Sequence, residues 1–347
     1  MKKWAFLPLF AIVLCGCASG SQNSTPQQLQ VFAMDTQMDL TVYGDNAASQ
    51  AALLDASAEL HRLDTLLSRH NETSALSALN QGAGTAVTVD SEVYALLKTA
   101  AGYTTATDGA FDISIAPIMD AWDFLGEDPR VPSQEELEQL SSHVGSDRIV
   151  FDDAAHTVTL EEGMAVDLGA IAKGYASDRL AAILAADGVD SAMVNLGGNV
   201  YVHGSKPDGS PWRVGISDPL DHVHNKLGVL SLTDSFVITS GGYQRNFTKD
   251  GVTYYHIIDP KTGDVARSGL LSATVVCDSG TMGDALSTSL FVMGLDRATA
   301  FWKGSSLPFE MILVDTDDHV YLTEGLKDCF DSSISEHTYE YIYLTKT

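Results

Sequence analysis

The feature that most restricts the fold of this chain is a run of short apolar strands joined by short turns, which extends from about residue 187 to Val276. Parallel neighbours in one sheet need long crossover connections, usually helices, whereas antiparallel neighbours need only a few residues. The short connections therefore favour an α+β fold with antiparallel sheet over a doubly wound parallel sheet.

Periodicity outside this run predicts the remaining elements. Leucine and alanine recur at helical spacing over 47–67, and Ser133 with Glu136 forms a capping-box pattern that opens an acidic helix. Further helices are predicted over 92–103, 171–186 and from Met282, and further strands over 31–42, 148–151, 157–160, 310–314 and 320–323. Because no Pro-rich hinge or charge block interrupts the chain after residue 30, we expect one catalytic unit over 30–347.

The first residues predict an export signal. Lys2 and Lys3 precede an apolar run over 4–14 that is too short to span a bilayer as a helix. The segment Leu14-Cys15-Gly16-Cys17 resembles the lipobox of bacterial lipoproteins, which implies a signal peptide over 1–16 and a lipid on Cys17. An ordinary cleaved signal peptide is the alternative. The polar composition of 17–29 is typical of a flexible tether, so we expect a membrane-anchored lipoprotein on the periplasmic or extracellular side.

The net charge and the cysteine content restrict which macromolecules, ligands and metals this chain is expected to bind. The net charge is −26 at pH 7, and such a field repels phosphate backbones, so nucleic acid is excluded as an expected partner. A phosphate-containing ligand would need a metal or local basic residues. Beyond the signal, Cys277 and Cys329 could pair in an oxidising compartment, but two cysteines do not make a disulfide framework, and both are predicted to be small buried residues. No Cys/His spacing predicts zinc.

Several glycine-containing segments in the second half could bring backbone close to a ligand. Residues 166–178 place Asp167, Gly169 and Lys173 at the entrance of an apolar helix, where free amides favour phosphate groups. A purely structural strand-to-helix turn is the alternative for that segment. The turns at 195–199 and 239–243 could approach a ligand or could be hairpin turns.

Two other segments carry side chains suited to catalysis or metal binding. His256 lies in an apolar strand before a Pro-containing turn, where it could accept a proton or be a hydrogen-bonded core histidine. Asp284 and Thr288 are four residues apart in the last predicted helix, so both oxygens lie on one helical face. Such a pair suits Mg²⁺ once a carbonyl, waters and substrate phosphates complete the coordination.

With these segments the chain resembles the ApbE family of FAD:protein FMN transferases, over about residues 32–288. The matching motifs, in chain order, are Met34-Asp35-Thr36, Leu67-Ser68 to Leu79-Asn80, 107–112, Ala116-Pro117 with Trp122, and the second-half segments described above. The resemblance implies an α+β fold related to duplicated T-fold-like units, in which antiparallel sheets flanked by helices form two fused lobes with FAD in the cleft.

The resemblance also implies roles for individual residues. Residues that would line the FAD site are Met34, His70, Ala110, Phe111, Asp112, Asp167, Lys173 and Ile258. The carbonyl of Ala170 with Asp284 and Thr288 would hold Mg²⁺. The chain departs from the family pattern at Asp35, usually glycine, at His70, commonly tyrosine, and at Ile113, frequently proline.

The implied reaction is displacement at the FMN phosphorus of FAD by a threonine or serine hydroxyl of an acceptor flavoprotein. AMP leaves, and FMN stays attached through a phosphoester. We expect His256 to take the hydroxyl proton, with Asp284 as the alternative base. Membrane redox subunits or extracellular flavoproteins are the implied acceptors. An FAD pyrophosphatase and a non-catalytic flavin carrier are the alternative functions.

Overall fold

The computed structural model describes residues 25–124, 126 and 129–346. The helices are α1 (Asn46–Leu67), α2 (Ala75–Gln81), α3 (Ser91–Ala106), α4 (Ala116–Trp122), α5 (Gln134–Ser141), α6 (Ala172–Ala186) and α7 (Gly280–Gly304), with 3-10 turns at Ser146–Arg148 and Glu324–Leu326. The strands are β1 (Gln27–Ala33), β2 (Thr36–Tyr43), β3 (Ala86–Thr88), β4 (Val150–Asp152), β5 (Thr157–Thr159), β6 (Ser191–Leu196), β7 (Asn199–Gly204), β8 (Trp212–Ser217), β9 (Lys226–Leu232), β10 (Ser235–Gly241), β11 (Asn246–Lys249), β12 (Val252–Tyr255), β13 (Leu270–Cys277), β14 (Phe309–Asp315), β15 (His319–Thr323), β16 (Phe330–Asp331) and β17 (Glu340–Leu344).

A nine-stranded sheet organises the fold, in the order β1-β2-β6-β7-β10-β13-β14-β15-β17. All its pairs are antiparallel except the last, where β17 pairs in parallel with β15. The predicted α+β class with antiparallel sheet is therefore confirmed. The parallel edge pair escaped prediction because its partner strand lies beyond a loop, a short 3-10 turn and β16.

Successive side chains of the central strands point to opposite faces of the sheet, so neighbouring residues belong to different hydrophobic cores. Ile238 and Val275 belong to the large core, which α1, α6 and α7 cover. Val237 and Val276 belong to a second core on the other face, beneath the small sheet β16-β9-β8. A third cluster packs around Trp122, whose indole N–H donates to the Gly263 carbonyl.

The predicted helices and strands agree with the observed ones, with boundary shifts of a few residues. The 31–42 segment is a hairpin of β1 and β2, and Ser133 Oγ accepts from the Glu136 amide as the capping box predicts. Five short elements are not predicted by the sequence pattern: α2, α4, β3, β16 and β17. Each is too short to give a clear period, and pairing or packing with distant residues stabilises it.

The N-terminal predictions fall mostly on residues 1–24, which lie outside the described residues. The tether end at residue 29 was wrong, because β1 already starts at Gln27. The polar residues Gln27, Gln28 and Gln30 make the start of β1 resemble a linker in composition. Leu29 and Val31 nevertheless alternate with polar residues, as is usual in an edge strand.

Two further observations concern cysteine and the membrane. Cys277 and Cys329 are both free thiols, so the pairing that the sequence left open is not formed in this structure. Cys277 is buried as predicted, whereas Cys329 is only partly buried.

Across 25–124, 126 and 129–346, no helix has both the length and the apolar character needed to cross a bilayer.

Candidate functional site

A cavity of about 650 Å³ opens where the β1–β2 turn, the end of α1 and the amino ends of α6 and α7 meet. It reaches from Met34 to Thr288 in sequence, so distant segments build its walls. All twelve residues expected at the site line it: Met34, His70, Ala110, Phe111, Asp112, Asp167, Ala170, Lys173, His256, Ile258, Asp284 and Thr288. The fold thus brings the whole predicted set into one place.

The amino ends of α6 and α7 approach so closely that only glycine fits between them. A Cβ on Gly174 would overlap the Gly280 carbonyl and lie 2.6 Å from Asp284 Cβ. The Gly174 amide donates to Asp284 Oδ2 over 2.8 Å. This contact fixes the carboxylate of Asp284, whose residue is 4% exposed.

Asp178 fixes the same junction from the α6 side. Its Oδ1 accepts from the Gly280 amide at 2.6 Å, and its Oδ2 accepts from the Thr281 amide at 2.9 Å. A carboxylate at a helix amino end satisfies free amides and interacts favourably with the helix dipole. Asp178 belongs to the 166–178 segment singled out above, but its anchoring role depends on contacts with α7 that the sequence does not show.

The proposed metal ligands Ala170, Asp284 and Thr288 all line the cavity. Thr288 Oγ1 lies one helical turn from Asp284 and 3.2 Å from Ser240 Oγ, which also contacts Ser287 Oγ at 2.9 Å. Among the described residues no group of three or more His, Cys, Asp or Glu is arranged to hold a metal. The oxygen-only set of one carboxylate, one hydroxyl and the Ala170 carbonyl fits a Mg²⁺ ion that keeps waters and binds substrate phosphates.

His256 lies on the wall as a half-buried, neutral imidazole. Burial lowers its pKa to about 4, and the positive charges of Arg245 and Lys173 add to this effect. Its Nδ1 is buried and has no hydrogen-bond partner within the described part of the chain. An imidazole with a free ring nitrogen can accept a proton, although the depressed pKa makes it a weak base without a ligand.

Two carboxylates expected to line the FAD site are already engaged by the protein. Asp112 accepts from Ser114 Oγ at 2.6 Å, from the Ser146 amide at 3.0 Å and from Ser146 Oγ. Asp167 accepts from the Gly169 amide at 2.6 Å and pairs with Arg69. Asp112 thus joins two loops at the wall in addition to lining the cavity.

The β1–β2 turn explains one departure from the family pattern. Met34 and Asp35 both have left-handed backbone, with φ of +49° and +56°. A two-residue hairpin turn of this kind favours glycine, and aspartate tolerates the conformation better than most side chains. Asp64 Oδ1 accepts from the Met34 amide at 3.0 Å, which helps to hold the turn.

Several cavity residues were missed. Tyr243 stacks on His222 with ring centroids 4.8 Å apart and an interplanar angle of 22°. Asn199 is 3% exposed, and its Nδ2 has no partner among the described residues. Tyr243 and Asn199 lie in glycine turns that the sequence had singled out, but nothing local distinguished these side chains, or Arg69 and His222, from surface residues.

The charges around the cavity are predominantly negative. Three cationic side chains line it, Arg69, Lys173 and Arg245. Seven carboxylates also line it: Asp35, Asp64, Asp112, Asp120, Asp123, Asp167 and Asp284. A ligand with a pyrophosphate would therefore bind best with a divalent cation, as the charge of the sequence predicts.

Comparison with known proteins gives consistent results. The sequence profile described as the ApbE family matches residues 34–313. An FAD:protein FMN transferase of Treponema pallidum is 33% identical over 91% of this chain and 92% of the relative. One from Vibrio cholerae is 30% identical over 96% and 98%. Among solved structures, the ApbE protein of Thermotoga maritima superposes with a TM-score of 0.83 at 33% identity, covering 88% of this chain and 99% of that one. The flavin transferase ApbE of Vibrio cholerae gives 0.78 at 28% identity, with coverage of 88% and 99%.

Proposed function

Because this chain belongs to the ApbE family, we propose that it cleaves FAD and transfers the FMN half to a threonine or serine hydroxyl of an acceptor flavoprotein. The chain is an enzyme of the transferase class and an FAD:protein FMN transferase, as are its named relatives. The residue roles, the metal and the cellular location form the finer part of the proposal.

One observation carries this finer part. Residues from Met34 to Thr288 that were singled out from the sequence all line the same cavity. Its volume of about 650 Å³ lies within the usual range for cofactor sites. A surface carrier would not need Asp284, Thr288 and His256 in one cavity.

Mg²⁺ is the proposed cofactor, held by Asp284, Thr288 and the carbonyl of Ala170. When bound, it would neutralise pyrophosphate oxygens and thereby favour departure of AMP. Lys173 lines the same cavity and has no ion-pair partner among the described residues, so its ammonium is free to face a phosphate.

Proton transfer is assigned to His256. The acceptor hydroxyl oxygen forms a bond to the FMN phosphorus, the bond from that phosphorus to the AMP oxygen breaks, and the hydroxyl proton passes to the neutral imidazole of His256, which lines the cavity. Asp284 is the alternative base where the metal leaves one of its oxygens free.

The proposed location rests on the first seventeen residues, with their charged start, apolar run and Cys17. An enzyme anchored by a lipid on Cys17 would meet acceptors at the same membrane surface. Membrane redox subunits are therefore the proposed partners.

One assay tests the function. The purified mature chain is incubated with FAD, Mg²⁺ and a threonine-containing acceptor protein, and the products are examined for a flavin-fluorescent protein band and for AMP. Labelled acceptor with an equal amount of AMP supports the transferase. AMP without labelled protein indicates an FAD pyrophosphatase, and neither product indicates a flavin carrier.

A further inference from the structure

Arg69 is a largely buried cation on the cavity wall that none of the chemical assignments above uses. It follows the end of α1, and its side chain is only 14% exposed. Burying a guanidinium is costly unless it is paired. Its partners therefore indicate what it does.

Both side chains that pair with Arg69 in the described part of the chain are carboxylates that line the cavity. Nε lies 2.6 Å from Asp167 Oδ2, and Nη1 donates to Asp120 on α4. Burial lowers the pKa of the guanidinium, but the two carboxylates outweigh this and raise it above its ordinary value. Arg69 thus joins the end of α1 to α4 and to the loop before α6.

Asp167 is held from two sides as a result. Arg69 holds Oδ2, while the Gly169 amide donates to Oδ1 over 2.6 Å. The Asp167 amide also donates to the Ile113 carbonyl at 2.7 Å. Each carboxylate oxygen can accept more than one hydrogen bond, so the fixed group can still accept N–H or O–H donors of a ligand.

The pairing also has an electrostatic consequence. Asp167 is one of seven carboxylates around the cavity, and its charge would repel the phosphates of FAD. A guanidinium beside it offsets that repulsion without removing the hydrogen-bond acceptor. A neutral residue at position 69 would leave Asp167 charged, less ordered and uncompensated.

We propose that Arg69 is a positioning residue that sets FAD affinity by holding the Asp167 carboxylate in one orientation and offsetting its charge. This inference rests on the proposed function, because FAD is the ligand concerned. It predicts an effect on FAD binding and on KM for FAD, with little effect on kcat.

The test is FAD titration of the full mature chain by flavin fluorescence, together with steady-state transfer to an acceptor protein. Arg69→Gln is expected to raise Kd and KM for FAD about tenfold and to leave kcat within about twofold. Arg69→Lys retains the charge but loses the planar fork, so we expect about threefold weaker binding. Arg148→Gln is the matched control, since Arg148 also ties segments together but does not line the cavity, and Kd should not change.

A double-mutant cycle with Asp167→Asn separates positioning from independent action. If Arg69 acts through Asp167, the double variant binds FAD no more weakly than Asp167→Asn alone. The inference would be overturned if the Kd of the double variant rose by the product of the two single-variant effects. A wild-type Kd for Arg69→Gln would overturn it as well. If Arg69→Gln does not fold, a wild-type Kd for a folded Arg69→Lys variant overturns it instead. Wild-type protein that binds FAD but transfers nothing would refute the proposed function, while the Kd comparison would still test Arg69.

Discussion

At the junction of α6 and α7 two backbone segments pack closely and hold one buried cavity residue, whereas at the rim exposed side chains on turns line the cavity. The junction has Gly174 against Gly280, with the Asp284 carboxylate held by an amide. The rim, defined here as Asp35, His70 and His222, consists of exposed residues. The buried junction therefore tolerates little change in shape or chemistry, while the exposed rim leaves more room for other side chains.

The largest expected effect lies at the junction. Asp284→Ala removes the only carboxylate among the proposed metal ligands, so we expect FMN transfer to be abolished with saturating Mg²⁺. Formation of flavin-labelled acceptor measures this. Asp278→Ala, at an exposed position just before α7, is the control and should keep wild-type activity. Full transfer activity in Asp284→Ala would refute the assignment of Asp284 as a metal ligand.

His256→Ala is expected to slow transfer by about 10²- to 10⁴-fold with FAD binding near normal, because it removes the proposed proton acceptor. Single-turnover kinetics and FAD titration measure the two quantities separately. A variant that binds no FAD would make His256 a structural residue of the wall.

Gly174→Ala tests the backbone contact without changing a polar group. The added methyl overlaps the Gly280 carbonyl, so we expect a loss of about 3 kcal/mol in the free energy of unfolding, at the upper end for overpacking. Urea denaturation measures it. Gly102→Ala in α3, where a Cβ meets nothing within 4 Å, should instead gain about 0.5–1 kcal/mol. Equal effects at both positions would contradict a special role for the junction.

The pKa of His256 predicts how stability varies with acidity. Its folded pKa of about 4 lies below its ordinary 6.5, so the unfolded state binds more protons between these values. The stabilisation of the folded state by the neutral His256 imidazole is fully present above pH 6.5 and is lost as the pH falls towards 4. Unfolding free energies at pH 7 and 4.5 should differ by roughly 1–2 kcal/mol more in wild type than in His256→Gln. Equal pH dependence in the two proteins would mean that the imidazole is not held neutral.

The smallest effect is expected at the rim. Asp35→Gly relieves a left-handed aspartate, so we expect stability to rise by no more than about 1 kcal/mol and FAD affinity to stay within about twofold. Asp250→Gly, at another left-handed turn position, is the matched control for stability. A loss of FAD affinity in Asp35→Gly alone would show that this rim side chain serves the ligand.

The sequence predicted those parts of the molecule that depend on local pattern. Helix α1 has a sustained period, and the strands between α6 and α7 have short connections. The twelve proposed site residues came from segments with unusual glycine, acid or histidine placement and from resemblance.

What the sequence did not reveal depends on distant neighbours. The need for glycine at position 174 becomes evident only when the Gly280 carbonyl is seen to occupy the space that a Cβ would take. Arg69 resembles any surface arginine until Asp167, almost one hundred residues away, lies next to it. The stack of Tyr243 on His222 likewise joins two loops.

Because segments between Met34 and Thr288 all contribute to the cavity wall, the site exists only when most of the chain is folded. A ligand that binds this wall therefore acts on the folding equilibrium of the entire domain. At a hundred times its dissociation constant, such a ligand would add about 2.7 kcal/mol to the unfolding free energy. Molecules that meet FAD would resist unfolding and proteolysis more strongly than those that do not, so the supply of substrate would also govern the lifetime of the enzyme.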